Sequence, residues 1–165
     1  MPRGPFDIIY ADPPWRYQWS GMNHKIEKHY PTMDLQDIKN LQIPSAADSV
    51  LYLWTPPAIL GNALEVMEAW GFRYRSHAVW DKEIMGLGVW WRNQHELLLV
   101  GRKGTFPVPP PSQRLRSVFR EKRTIHSKKP HSVYEMIEHM YPGMRYLELF
   151  ARNRRRGWKS WGNEV

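Results

Sequence analysis

Apolar positions along the chain fall into short blocks divided by turn residues. Phe6–Ala11 (FDIIYA) is a brief apolar run that stops at Asp12-Pro13-Pro14, and such a run predicts a buried strand. Val50–Trp54 (VLYLW) has the same form. Thr55-Pro56-Pro57 then offers a polar cap and a proline at the first helical position. Ile59, Leu60, Ala63, Leu64, Met67 and Trp70 follow at helical spacing as far as Gly71. Tyr74–Trp80 and Glu96–Val100 (ELLLV) predict two more strands. Val133, Met136, Ile137 and Met140 share one face of a helix that opens near Pro130 and stops at Gly143, after which Arg145–Phe150 (RYLELF) returns as a strand. Residues 16–30 and 101–123 lack both periods and predict loops; FPVPPPSQ within the second is excluded from a sheet interior.

Strands alternating with helices of this length predict an α/β fold, a mostly parallel sheet with helices on both faces. No repeat or boundary divides the pattern, so residues 1–165 are expected to form a single domain, without a separate target-recognition domain. Ligands of such sheets bind beyond the carboxyl ends of the strands. Asp12, the Thr55 turn and the residues after Phe150 all fall there.

Composition narrows the function classes. Cysteine is absent, which excludes disulfides and thiolate metal sites, and the seven histidines show no metal-ligand spacing. His126 and His131 bracket a helix start and are expected to cap or solvate it. No window approaches the roughly eighteen apolar residues of a membrane span, and the start MPRGPFD has no apolar signal core, so a cytoplasmic protein is expected. Charge is distributed unevenly. Residues 1–101 carry 9 basic and 11 acidic side chains, whereas residues 102–165 carry 15 and 5, within a net charge of +8. That polarity suits a polyanionic partner facing the C-terminal part.

The stretch ADPPW at 11–15 carries the most specific chemistry. Two prolines fix φ twice and donate no N–H, so the exit from the first strand is rigid and its carbonyls lack donors nearby. A carboxylate, a carbonyl and a ring are thereby held together. An amino group on a nucleobase is a poor nucleophile because its lone pair is delocalised into the ring. Two acceptors, one per N–H, favour a more tetrahedral nitrogen; Asp12 can be one and the Pro13 carbonyl the other, with Pro14 aiming that carbonyl and Trp15 stacking on the base. A flipped-out base would be the substrate. Ser20, Ser45 and Ser132 lack a base-and-orienter arrangement, so no covalent nucleophile is predicted.

Asp-Pro-Pro-Trp after an apolar strand resembles the catalytic motif of S-adenosylmethionine-dependent amino methyltransferases of nucleic acids. From about residue 6 to 164 the chain resembles the family of the eukaryotic mRNA adenosine methyltransferase catalytic subunit, in its short bacterial or phage form. HYPTM at 29–33, LYLW at 51–54, WGF at 70–72, ELLLVGRKG at 96–104, HSKKP at 126–130, YEMIEHMYPG at 134–143 and LELFAR at 147–152 carry that likeness in order. The resemblance implies a Rossmann-like methyltransferase fold with permuted motifs, the catalytic strand N-terminal and the cofactor strand C-terminal. Asp12, where cytosine-modifying relatives often have serine, implies adenine. S-adenosylmethionine is the implied cofactor, with Lys129, Glu148, Phe150, Arg152 and Asn163 on its side of the site. Tyr30 and Glu96 match residues near the substrate. Lys25, Lys28, Arg154, Arg155 and Arg156 are the expected nucleic-acid contacts. Glu164 stands where the mRNA enzyme has glutamine, and the segment from Arg152 to Trp158 is shorter than in that enzyme.

The reading is an adenine-N6 methyltransferase acting on DNA, in the cytoplasm of a bacterial host and either host- or phage-encoded, with a homodimer or a partner subunit as the expected assembly. RNA is the nearest alternative substrate. A catalytically inactive nucleic-acid-binding subunit is the rival from another class, and a basic binding module in which DPPW is only structural is the third. Glu148, between two apolar neighbours, could instead be a structural ion-pair residue, and the arginine run a solvated surface.

Overall fold

The computed structural model describes residues 1–16, 32–122 and 128–165. Seven strands form one sheet: β1 (Phe6–Ala11), β2 (Ser45–Thr55), β3 (Arg73–Asp81), β4 (His95–Lys103), β5 (Val118–Arg120), β6 (Tyr146–Leu149) and β7 (Trp158–Trp161). Their order is β5-β3-β4-β2-β1-β6-β7. Only β4 runs against its neighbours; the other pairings are parallel. The helices are α1 (Leu35–Lys39), α2 (Leu60–Ala69) and α3 (Ser132–Met140).

Strand alternation sends successive side chains to opposite faces, and the two cores follow from it. Ile9, Ala11, Leu51 and Leu53 pack with Ile38 of α1 and with Ala63, Val66 and Met67 of α2. Ile8, Tyr10, Tyr52 and Trp54 pack on the other face with Val133 and Ile137 of α3. The sheet is therefore mostly parallel, with helices on both faces, as the apolar pattern predicts. At the amino end of β1, Asp7 takes a two-pronged contact from Arg145 (2.6 and 2.9 Å), locking β1 against β6 away from the catalytic rim.

From β1 the chain passes to β2, skips one place to β3, comes back to β4 between them and goes on to β5 at the edge. It returns by way of α3 to β6, on the other side of β1. The carboxyl end of β1 is thus the topological switch point, where diverging connections leave a crevice for a ligand. Asp12 is the first residue beyond it.

Several local expectations need correction. Thr55 does not cap a helix: it is the last residue of β2, paired with Leu97, and its hydroxyl donates to the Pro56 carbonyl. Pro56 is extended, as befits a residue before proline, so the chain makes a 3-10 turn at Pro57–Ile59 before α2 begins. The span 101–123 is loop over most of its described residues, but Gly101, Arg102 and Lys103 complete β4 and Val118–Arg120 adds β5 at the sheet edge. β7 and the short α1 were not expected either. Among the described residues, no helix is long and apolar enough to cross a membrane.

Candidate active site

Asp12 leaves β1 into a charged chain. Lys129, just before α3, places its ammonium 2.8 Å from Asp12 Oδ1 and 2.9 Å from Oδ2. The same ammonium is 3.2 Å from Glu96 Oε2 at the start of β4, and Lys82 lies 3.4 Å from Glu96 Oε1. Lys82, Glu96, Lys129 and Asp12 so alternate in sign along the rim. Burial pushes the Asp12 carboxyl above its usual range, and the Lys129 ammonium pulls it back only partly. Burial lowers Lys129, but two carboxylates outweigh that and hold it firmly protonated. Beneath the ammonium lies the Trp54 ring, 5.5 Å from Nζ, and Trp54 Nε1 donates to the Tyr10 hydroxyl at 2.7 Å.

The carbonyls of the turn after Asp12 do not lack donors, contrary to the expectation from sequence. The Pro13 carbonyl has a donor: the Trp15 N–H at 2.8 Å. A carbonyl has two lone pairs, so one stays available to a ligand. The Pro14 carbonyl accepts from the Met33 N–H at 2.9 Å. Trp15 is buried in the core, its Nε1 donating to the Trp54 carbonyl at 3.0 Å. Its indole ties the turn to the end of β2, whereas the sequence reading gave it to the base.

One strand away, Glu148 stands in register with Tyr10 on β1 and with Ser160 on β7. Tyr134 of α3 donates to Glu148 Oε1 at 2.7 Å. Among the described residues Glu148 has no ion-pair partner, unlike the structural alternative weighed above. Oε2 and the Ser160 hydroxyl are both buried without a partner among the described residues. Burial raises the Glu148 carboxyl to about 7, the Tyr134 hydrogen bond lowering it and Asp12 raising it further. An orphaned carboxylate oxygen and an orphaned hydroxyl on adjacent strands suit a cationic ligand that carries hydroxyl donors. The donor set therefore fits S-adenosylmethionine.

The other predicted residues scatter more widely. Phe150 follows β6 at φ 61 and packs edge-on to Trp161. Arg152 lies within electrostatic reach of Asp12 and 3.7 Å from Glu164. Asn163 is exposed just beyond β7. Arg154 and Arg156 face solvent. Arg155 does not: it grips Glu138 of α3 at 2.7 and 2.8 Å and covers the Tyr134 ring. Its guanidinium is a fastener between α3 and the β6–β7 turn, which corrects its assignment to nucleic acid. His131 offers α3 no side-chain cap and instead faces Arg155 at 3.1 Å. Tyr30, Lys25, Lys28 and His126 lie outside the described residues.

Lys82, Tyr134 and Ser160 join the constellation without a sequence signal. Each owes its place to strand register or helix docking, neither of which a linear motif encodes.

Comparisons with known proteins bear on this site as a whole. Residues 6–164 match the MT-A70 family model. The type II methyltransferase M.MunI of Mycoplasma sp is 36% identical across the whole chain, which spans 80% of that protein. The mouse N(6)-adenine-specific methyltransferase METTL4 is 30% identical over 97% of the chain, and the human N(6)-adenosine-methyltransferase catalytic subunit METTL3 is 29% identical over 98%. The chain spans only 37% and 28% of those two animal proteins. With its Asp-Pro-Pro-Trp turn at the switch point of a mostly parallel sheet, the chain belongs to the MT-A70 family of methyltransferases.

Proposed function

We propose that this protein methylates the exocyclic 6-amino group of adenine in nucleic acid, with S-adenosylmethionine as methyl donor. The observation that carries the reading is the Asp12 carboxylate at the switch point, held by an ammonium that a second carboxylate shares. Bound in the crevice, S-adenosylmethionine supplies an electrophilic methyl on a sulfonium. Glu148 and Ser160 would hold it through their unpartnered oxygens, with Phe150, Arg152 and Asn163 at its border.

Asp12 and the second lone pair of the Pro13 carbonyl accept the two amino hydrogens, drawing the nitrogen lone pair out of the purine ring. Lys129 first occupies both Asp12 oxygens, and a small shift toward Glu96 frees one of them for the base. As the N–C bond forms, the methyl–sulfur bond would break with its electron pair left on sulfur as a neutral thioether, and Asp12 would stabilise the positive charge that develops on nitrogen. The surplus proton leaves through Asp12 to water. In this reading Trp15 shapes the pocket by tethering the turn to β2.

DNA is the proposed polymer, because the type II methyltransferase M.MunI is more similar to the chain, at 36% identity, than the human adenosine-methyltransferase catalytic subunit, at 29%. A single domain, a cytoplasmic location and a homodimer or partner subunit go with this reading. The test incubates purified protein and Asp12→Ala with S-adenosylmethionine and unmethylated DNA or RNA, then analyses nucleosides by mass spectrometry. N6-methyladenine in DNA is expected, lost by about a thousandfold in the variant. Product in RNA alone would move the substrate. Cofactor binding without product on either polymer would favour the inactive subunit.

A further inference from the structure

The connection from β3 to β4, residues 82–94, carries the most exposed large apolar side chains among the described residues. Trp90 is 92% exposed and Trp91 83%, and Met85, Leu87 and Val89 beside them are open as well. The loop is not slack. Lys82 N–H donates to the Gln94 carbonyl at 2.9 Å, Gly86 N–H to the Asn93 carbonyl at 2.8 Å, and Arg92 Nε to the Gly86 carbonyl at 2.9 Å. A Cβ on Gly86 or Gly88 would collide with the carbonyl of Asn93 or Trp91, so only glycine lets the two limbs close. The lacing holds both indoles outward, where folding gains nothing from them. An apolar patch held open in this way marks a contact surface.

Its position indicates the partner. β3 runs parallel to β2 and β1, and β4 antiparallel to β2, so both feet of the loop stand on the same rim as Asp12. Lys82 at one foot and Glu96 near the other are members of the charged chain that ends at Asp12. On the neighbouring strand Arg120 is exposed while paired with Asp81 at 3.0 Å and Glu83 at 3.8 Å; Lys122 just beyond it is exposed at that rim, and Lys128 is exposed beside Lys129. Flat aromatic rings near the exposed Lys122 and Lys128 match a nucleic acid, whose bases stack on indoles and whose phosphates meet the cations. Removing one base from a stack also leaves its neighbours with uncovered faces.

We propose that the Trp90–Trp91 tip is a stacking platform for the nucleobases that flank the target adenine. The inference rests on the adenine-methylation reading above. From then on the roles divide: the Asp12 pocket takes the extruded base, and the tip covers the faces it leaves.

The test measures binding of a labelled DNA oligonucleotide by fluorescence anisotropy at several salt concentrations, together with its KM for methylation. Trp90→Ala and Trp91→Ala are each expected to weaken binding and raise KM by about tenfold. Trp90→Phe retains most of the affinity. The slope of log Kd against log salt stays that of the wild type, because no cation is removed. The thermal shift given by S-adenosylmethionine is kept, which shows that the variants fold and separates this result from loss of the site. Wild-type affinity and KM in both alanine variants would overturn the platform while leaving the methylation reading intact. Wild-type protein that methylates neither polymer would remove that reading and the platform with it. A wild-type dimer that Trp90→Ala dissociates in sedimentation, at unchanged affinity for the oligonucleotide, would make the tip a subunit interface instead.

Discussion

The ends of β1 and β6 each hold a buried carboxylate, one strand apart, and the two are treated in opposite ways. Asp12 has an ammonium on both oxygens, whereas Glu148 has a single tyrosine hydroxyl and an oxygen with no partner among the described residues. Both are raised by burial, Asp12 against the pull of Lys129 and Glu148 to about 7. Under the proposed reaction the difference would suit two tasks. Asp12, beside an ammonium, would accept from a developing cation, and Glu148 would offer its second oxygen to a ligand's hydroxyls.

The comparison breaks most forcefully at Lys129. Lys129→Met leaves the largely shielded Asp12 without its ammonium, with only Arg152 within electrostatic reach, and makes it resemble Glu148. Removing one partner of a buried ion pair costs about 3–5 kcal/mol, and the low end applies because the Asp12 side chain is 22% exposed. The Asp12 carboxyl should then rise further and take up a proton in mild acid. Urea unfolding at pH 8 is expected to show the loss of about 3 kcal/mol, and at pH 5 a distinctly smaller one. An equal loss at both pH values would reduce Lys129 to a packing residue over Trp54.

How much of this was legible beforehand follows from what a linear sequence encodes. Alternation and helical spacing gave β1, the core of β2, β3, β4, β6, α2 and α3, because each buries a contiguous local pattern. The direction of β4 was not written there; it follows from a helix-free connection to an adjacent strand. Trp158–Trp161 was obscured by the arginines before it. At the site, Asp12 and its prolines announced themselves through local rigidity. Glu96 and Lys129 came only through family resemblance, since their meeting depends on the register of β4 on β2 and on the docking of α3. Arg155 shows the opposite failure: a run of three arginines looks like one surface, yet the middle one turns inward to Glu138.

Glu148→Gln sharpens the comparison from the other side. A folded-state value of about 7, above the ordinary glutamate value, means that the folded protein binds more protons than the unfolded one between those limits. Its contribution to stability is therefore full below about pH 4 and falls as pH rises toward 7. Over that window the wild type should lose about 2–3 kcal/mol relative to Glu148→Gln, read as the difference between their urea midpoints. Parallel curves would mean that Glu148 is ionised throughout, its vacant oxygen satisfied by water.

Lys82 offers the smallest and most discriminating effect. It touches Glu96 at 3.4 Å, both side chains being more than four-fifths buried, and Glu96 also holds Lys129. Lys82→Met should lower stability by no more than about 1 kcal/mol, since Glu96 keeps its second cation. The informative change is indirect. With Lys82 gone, Glu96 draws more strongly on Lys129, and Asp12 loses part of the ammonium that keeps it ionised. The acid limb of the pH profile of kcat/KM should move upward by a few tenths of a unit, and adding Glu96→Gln should bring it back. A limb that stays in place would show that the chain from Lys82 to Asp12 is a row of separate pairs, with Lys129 bound to Asp12 regardless of what happens at Glu96.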